Sequence, residues 1–135
     1  KISFYDDYAH HPTEISSVLS GVKKVYKNME IVCVFQPHRI SRVIRLKREF
    51  SKCFKKADTV LLCPIYTANE KLRLNFSYHS FAKLIIKNSN VRLIQVEDEL
   101  QLQKFIKQNV FGKKIYIGMG AGSISNWMKN LKNIF

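Results

Sequence analysis

The sequence predicts an α/β fold, a doubly wound and mostly parallel sheet of about six strands with helices on both faces. The first observation is that short apolar runs alternate with amphipathic helical patterns along all 135 residues. This alternation is typical of parallel sheets with right-handed crossovers. The second observation is that polar segments follow the first, the second and the last apolar run. Because ligands bind beyond the carboxyl ends of parallel strands, these segments are expected to converge at one edge of the sheet.

Five apolar runs have the length of strands and are nearly continuous, as expected for strands that helices cover on both faces. They comprise residues 2–5, 30–35, 59–63, 91–96 and 113–117. A helix is expected after each run, because apolar residues recur there at the spacing of one buried helical face. In the first helix this face carries Ile15, Leu19 and Val22, and Asp98 is expected to cap the fourth helix. The stretch 64–75 is expected to be a loop.

A turn rich in ionisable groups follows the first run, with the sequence Asp6-Asp7-Tyr8-Ala9-His10-His11-Pro12. Pro12 suits the first position of a helix, because its missing N–H group would be unpaired there in any case. At least one of Asp6 and Asp7 is expected to cap this helix. The two histidines resemble metal ligands only superficially, and no metal site is expected, because no further residue has ligand spacing. One histidine is instead expected to orient or hydrogen-bond a ligand.

A second polar segment, residues 36–42, follows the second run. Ser41 is expected to cap a single helix whose buried face continues to Phe54. Arg39 and Arg42 are three residues apart and could share a face of that helix. Arginine binds carboxylate or phosphate with two N–H groups, so this pair at the end of a strand predicts an anion site. Ordinary surface charge is the alternative interpretation.

A third segment contains Gly118, Gly120 and Gly122, between the last strand and the last helix. Glycines allow a ligand to approach the backbone closely, and the N–H groups at the start of the helix could meet an anion. The spacing is not the complete dinucleotide fingerprint, and a tight turn is the alternative. The sequence GxxxxGK(S/T) is absent, so this chain has no phosphate loop of its own for ATP.

Composition places the chain among single-domain globular proteins, with one domain expected over residues 1–135. The net charge of +13 is spread over lysines on the predicted polar faces of several helices, which indicates a solvated basic surface. A basic site for anionic ligands stays open as the alternative. The cysteines Cys33, Cys53 and Cys63 lie in apolar surroundings and predict reduced thiols in the cytoplasm. No membrane-spanning run or signal peptide is evident, and no membrane or nucleic-acid partner is expected.

Three motifs together resemble the C-terminal domain of the Mur ligases, in residues, order and spacing. They are Asp6 to Ile15 (DDYAHHPTEI), Val34 to Arg42 (VFQPHRISR) and Gly120 to Ile124 (GAGSI). The pair HHPTE and FQPHRxSR is the most specific part, and it resembles the members that join L-alanine to UDP-N-acetylmuramate. The resemblance implies a Rossmann-like third domain of a bacterial cytoplasmic enzyme, whose N-terminal UDP-binding domain and central ATPase domain lie outside this chain.

In such an enzyme, ATP and Mg²⁺ are bound mainly by the central domain, and ATP phosphorylates the muramate carboxyl group. The amine of L-alanine then attacks the acyl phosphate, in a step of peptidoglycan precursor synthesis. The resemblance implies that Asp7 and His10 are catalytic and contact the nucleotide, and that Tyr8 lines the cleft. It implies that Arg39 and Arg42 are catalytic and hold anionic groups of the substrate or the intermediate. The further substrate-binding residues that it implies are His38, Gly120, Ala121, Gly122 and Ser123.

The sequence departs from the family in places, and other functions remain open. Ile40 stands where tyrosine is common, Pro64 where an acidic residue is common, and the loop Tyr66–Glu70 differs from the usual one. One alternative is another amide ligase of the superfamily, such as a murein tripeptide ligase or a folylpolyglutamate synthase-like enzyme. The other is a stand-alone basic module that binds nucleotides or nucleic acids, which predicts salt-dependent binding by this chain alone. The ligase interpretation predicts that the isolated domain is inactive.

Overall fold

The computed structural model describes residues 1–71 and 76–135, in which five parallel strands form one sheet with helices on both faces. The strands are β1 (Ile2–Asp7), β2 (Glu30–Phe35), β3 (Thr59–Leu62), β4 (Arg92–Gln95) and β5 (Lys114–Met119). The helices are α1 (Pro12–Val25), α2 (Ile40–Arg45), α3 (Lys47–Lys52), α4 (Tyr78–Ser89), α5 (Glu99–Lys107) and α6 (Ile124–Ile134). The predicted fold class and the alternation of strands and helices are confirmed.

The described residues contain five strands where about six were expected. The difference arises because each predicted apolar run forms one strand and no further run exists. The predicted loop 64–75 lies partly outside the described residues, at 72–75. Its described part adds only an isolated bridge, between His38 and Tyr66.

The strand order is β1-β5-β2-β3-β4, and every neighbouring pair is parallel. The last strand in sequence therefore lies between the first two. At its carboxyl end, Met119 of β5 is in register with Asp7 of β1 on one side and with Phe35 of β2 on the other. The three polar segments that follow these strands consequently meet at one edge of the sheet, as the sequence predicted.

Side chains of β2 alternate between two cores, which explains why this strand reads as a continuous apolar run. Cys33 and Phe35 are fully buried on the face that α1, α3 and α4 cover. Val32 and Val34 are buried on the opposite face, beneath α5 and α6. The ring centroids of Phe35 and Phe50 are 5.6 Å apart, so this aromatic contact packs the carboxyl end of β2 against α3.

The prediction of a single helix after the second strand is wrong, because the chain forms two helices that meet at Leu46. Leu46 leaves helical geometry, with φ −109° and ψ 21°, although the predicted buried face is retained on both sides of it. Ser41 does not cap α2 either. The N-cap is Arg39, whose side chain makes no capping hydrogen bond, and Ser41 instead donates its hydroxyl and N–H groups to the distant carboxylate of Glu70.

The start of α1 confirms one prediction and corrects another. Pro12 occupies the first helical turn as expected, but His11 is the N-cap, and its ring nitrogen accepts the Thr13 N–H group. Neither Asp6 nor Asp7 caps the helix, because β1 extends through both of them and leaves four residues before Pro12. Glu14 completes the cap by accepting the N–H group of His11.

The three cysteines are buried and unpaired, as predicted. Burial raises the pKa of each thiol, to about 12 for Cys63. Asp98 caps α5 by accepting the N–H group of Gln101, which confirms that prediction too. Within residues 1–71 and 76–135, every helix is too short or too polar to cross a bilayer.

Candidate functional site

The polar segments after β1 and β2 lie side by side at the carboxyl edge of the sheet. The ring centroids of His10, from the first segment, and His38, from the second, are 6.2 Å apart. Tyr8 lies edge-on to His10 at 5.6 Å, and Tyr66 stacks on His38 at 5.4 Å with 17° between the ring planes. Four rings therefore form a row along this edge, whose outer members Tyr8 and Tyr66 are 70% and 41% exposed.

Backbone contacts fix the first segment. Asp7 is half-buried, and its carboxylate accepts the Ala9 N–H group at 2.8 Å. Nδ1 of His10 lies 2.9 Å from the carbonyl oxygen of Tyr8. Because a carbonyl oxygen only accepts hydrogen bonds, Nδ1 of His10 is the donor in this contact. Glu14 accepts backbone N–H groups at the same turn, and these hydrogen bonds lower its pKa.

We call His38, Arg39 and Arg42 the arginine corner. Arg39 is exposed and has a positive φ of 70°, whereas Arg42 is half-buried. Nη1 of Arg42 and Nδ1 of His38 are both buried, and neither has a hydrogen-bond partner among the described residues. Buried polar groups are normally paired, and a guanidinium N–H group can only donate. An anionic ligand would supply the acceptor that Arg42 lacks.

The surroundings of His38 lower its pKa below the ordinary value of 6.5. Burial is the largest cause, and the positive charges of Arg42 and Arg39 add to it. His38 is therefore neutral at pH 7, so the positive charge of the corner belongs to its two arginines.

This lowered pKa predicts a pH dependence of stability. Below pH 6.5 the unfolded chain takes up a proton that folded His38 does not bind, so the free energy of unfolding falls as pH decreases. The fall ends once pH is below the folded-state pKa. Urea unfolding between pH 7 and 5 should show this slope, and His38→Gln should reduce it, whereas His79→Gln, at an exposed position on α4, should not. An NMR titration of His38 at or above pH 6.5 would contradict the prediction.

The glycine segment is joined to the second segment by the side chain of Gln36. Its Nε2 group donates to the Ser123 hydroxyl at 2.8 Å, and its Oε1 atom accepts the Ile124 N–H group at 3.0 Å. This N–H group at the start of α6, which the sequence suggested for an anion, is thus already occupied. A Cβ atom on Gly120 would lie 2.7 Å from the backbone oxygen of Gln36, and one on Gly122 would lie 2.5 Å from the Tyr66 ring. Gly120 and Gly122 therefore permit the glycine segment to pack closely against Gln36 and Tyr66.

All the site residues predicted from the sequence lie at this one edge. Three functional candidates were missed: Gln36, Tyr66 and Glu70. Gln36 was visible only as a polar residue next to the arginines, and the other two as parts of a loop that departs from the family. Among the described residues, no three His, Cys, Asp or Glu side chains are grouped so that they could hold a metal ion.

Comparison with known proteins identifies the family. Residues 1–122 match the family described as "Mur ligase, glutamate ligase domain". The chain belongs to this family. The resemblance predicted from the three motifs is thus confirmed.

Relatives of this Mur ligase domain include the UDP-N-acetylmuramate–L-alanine ligase of Pelagibacter ubique, which is 65% identical over 132 residues. That alignment covers 98% of the chain and 28% of the relative, so the chain spans little more than a quarter of the relative's length. The solved UDP-N-acetylmuramate–alanine ligase of Thermotoga maritima is 27% identical, with a TM-score of 0.69, and is matched over 98% of this chain and 26% of its own. A murein peptide ligase from Psychrobacter arcticus has a TM-score of 0.72 at 17% identity, over 98% of this chain and 27% of its own, and shares the fold.

Proposed function

We propose that this Mur ligase domain is the C-terminal domain of a bacterial cytoplasmic ligase that joins L-alanine to UDP-N-acetylmuramate. The observation that carries the proposal is the 65% identity, over 98% of the chain, to a protein of that name. The edge of the sheet supports it, because the segments that carry the family motifs converge there. The N-terminal and central domains of the same ligase are the partners that this domain requires.

In the proposed reaction the terminal phosphoryl group of ATP passes to the muramate carboxylate, which gives ADP and an acyl phosphate. The amine of L-alanine then attacks the acyl carbon, loses a proton and expels inorganic phosphate, leaving an amide bond. Among residues 1–71 and 76–135 no three His, Cys, Asp or Glu side chains are grouped to hold a metal ion, and the sequence contains no GxxxxGK(S/T) loop. In line with the family resemblance, we assign the binding of Mg²⁺ and of most of ATP to the central domain.

The contribution of this domain is to position and stabilise anionic groups. Arg39 and Arg42 carry fixed positive charge at the edge of the sheet, and the buried Nη1 of Arg42 has no acceptor among the described residues. Hydrogen-bond donors that point toward developing negative charge lower the activation barrier of phosphoryl and acyl transfer. Holding two substrates in the right orientation lowers the barrier further, because less entropy is lost during the reaction. Asp7 and His10 contact the nucleotide side in this proposal, and Tyr8 with residues 120–123 borders the substrate.

A chimeric ligase tests the proposal. The C-terminal segment of the Pelagibacter ubique relative that aligns with this chain is replaced by residues 1–135, and phosphate release is measured with ATP, UDP-N-acetylmuramate and L-alanine. We expect turnover within about tenfold of the parent enzyme, whereas the parent without its C-terminal segment and the isolated chain should be inactive. A folded chimera without activity, or one that accepts a tripeptide in place of L-alanine, would overturn the assignment. Tight, salt-sensitive DNA or RNA binding by the isolated chain would favour the nucleic-acid alternative.

A further inference from the structure

The loop Tyr66–Glu70 holds the arginine corner at two places, and the first is a pair of backbone hydrogen bonds. The Tyr66 N–H group donates to the carbonyl oxygen of Pro37 at 2.8 Å, and its carbonyl oxygen accepts the Arg39 N–H group at 2.8 Å. The Tyr66 ring also stacks on His38. The loop therefore runs alongside the corner as a short parallel bridge.

The second contact is the carboxylate of Glu70 at the start of α2. Its Oε1 atom accepts the Ser41 N–H group at 3.1 Å, and its Oε2 atom accepts the Ser41 hydroxyl. These hydrogen bonds are the largest causes of a lowered Glu70 pKa. Since Arg39 offers no side-chain cap, a residue 29 positions away supplies the acceptor that the helix start needs.

Arg39 lies between these two contacts with its backbone at φ 70° and ψ 131°. Residues other than glycine rarely adopt positive φ, and they keep it only where the surrounding structure enforces it. The loop itself turns through two further positive φ values, at Ala68 (52°) and Asn69 (70°), which direct Glu70 back onto Ser41. The conformation of the corner thus depends on the loop.

Glu70 contacts the start of α2 without forming an ion pair with the arginines of the corner. In residues 1–71 and 76–135 its carboxylate is engaged by Ser41 and forms no ion pair with Arg39 or Arg42. Glu70 therefore occupies neither guanidinium group, although the positive charge of Arg39 acts on its carboxylate and contributes to its lowered pKa.

We propose that Glu70 is a positioning residue that fixes the start of α2, so that Arg39 and Arg42 are held in the geometry that binds an anion. The inference rests on the proposed function for the identity of that anion, but its test does not require turnover. Loss of Glu70 is expected to weaken anion binding. Simple electrostatics predicts the opposite, because removing a negative charge beside two arginines should strengthen it.

The experiment titrates this chain with pyrophosphate and follows the Arg42 side chain and the Ser41 amide by NMR. For Glu70→Ala we expect a rise of about fivefold or more in the pyrophosphate Kd. We also expect about tenfold faster hydrogen exchange of the Ser41 amide, with exchange in β5 unchanged. Glu70→Gln keeps an acceptor for the Ser41 N–H group and should restore most of the affinity. Glu49→Ala, at an exposed position on α3, is the matched control and should not weaken binding.

Several results would overturn the positioning role. These are equal or tighter pyrophosphate binding by Glu70→Ala, Glu70→Gln as weak as Glu70→Ala, or no response of Arg42 in the native chain. If Glu70→Ala does not fold, Glu70→Asp, whose shorter side chain keeps the charge but draws the carboxylate away from the Ser41 N–H group, should still weaken binding, and a native Kd in this variant would refute the proposal. Failure of the chimeric ligase would refute the proposed function alone, because the titration is made on the chain itself.

Discussion

Replacing Arg42 with alanine in the chimeric ligase is expected to lower kcat/KM by more than about tenfold, or roughly 1.4 kcal/mol of transition-state stabilisation. The reason is that Nη1 of Arg42 is buried without an acceptor among the described residues, and we expect a substrate anion to supply that acceptor in the complete ligase. Arg39→Ala should have a similar effect, because the second guanidinium belongs to the same corner. Lysine at position 42 should recover only part of the loss, since it cannot bind an anion with two N–H groups from a planar fork.

Arg45→Ala provides the control for the arginine variants. Arg45 lies in the same short helix and carries the same charge, but it is exposed and does not belong to the arginine corner. Steady-state kinetics in which ATP, UDP-N-acetylmuramate and L-alanine are each varied would distinguish the role of the arginine corner from that of Arg45. Unchanged kcat/KM in both Arg39→Ala and Arg42→Ala would eliminate the anion site, and an equal loss in Arg45→Ala would reduce the effect to overall charge.

Replacing Gly120 with alanine is expected to destabilise the chain by about 2–4 kcal/mol, as measured by urea unfolding. Gly120 has φ 150°, and an added Cβ atom would lie 2.7 Å from the Gln36 carbonyl oxygen and 2.9 Å from a methyl group of Ile124. Backbone atoms cannot move aside as a flexible side chain can. The substitution should therefore push the glycine segment away from Gln36 and also reduce activity of the chimera.

Gly21→Ala is the matched control for this prediction. Gly21 lies inside α1, and a Cβ atom there would meet nothing within 4 Å. Alanine is favoured over glycine in a helix by about 1 kcal/mol, so this variant should be more stable than the native chain. If Gly120→Ala were as stable as Gly21→Ala, the close approach of the two segments would not constrain the site.

The parts of the fold that depend on local patterns could be predicted from the sequence. The buried run Ile31 to Phe35 of β2 was recognisable because both faces of that strand are covered, and Pro12 marked the start of α1. The convergence of the polar segments followed from the general rule for parallel sheets. The insertion of β5 between β1 and β2 was not predictable in this way, because apolar runs do not record which strands pair.

The parts that depend on contacts between distant residues could not be predicted. Serine is a common N-cap residue, but the N–H and hydroxyl groups of Ser41 donate to the carboxylate of Glu70. This charged acceptor is stronger than a neutral one and comes from a loop that follows β3. Tyr66 likewise reaches the site by stacking on His38 across the sheet edge. Periodicity also missed the break at Leu46, since the buried face continues through it with an unchanged spacing.

The central position of β5 has a consequence for how the protein is made. Within this domain Ile2 to Asp7 is synthesised before the other strands, but its neighbour in the described part of the sheet is β5, which is synthesised after the other four. β2, β3 and β4 can pair before β5 is synthesised, whereas β1 has no partner strand until then. We expect the turn that contains His10 and the arginine corner to come together only after Lys114 to Met119 has paired with both β1 and β2. Translation that stops before β5 should therefore yield a partly folded sheet in which His10 and the arginine corner remain apart.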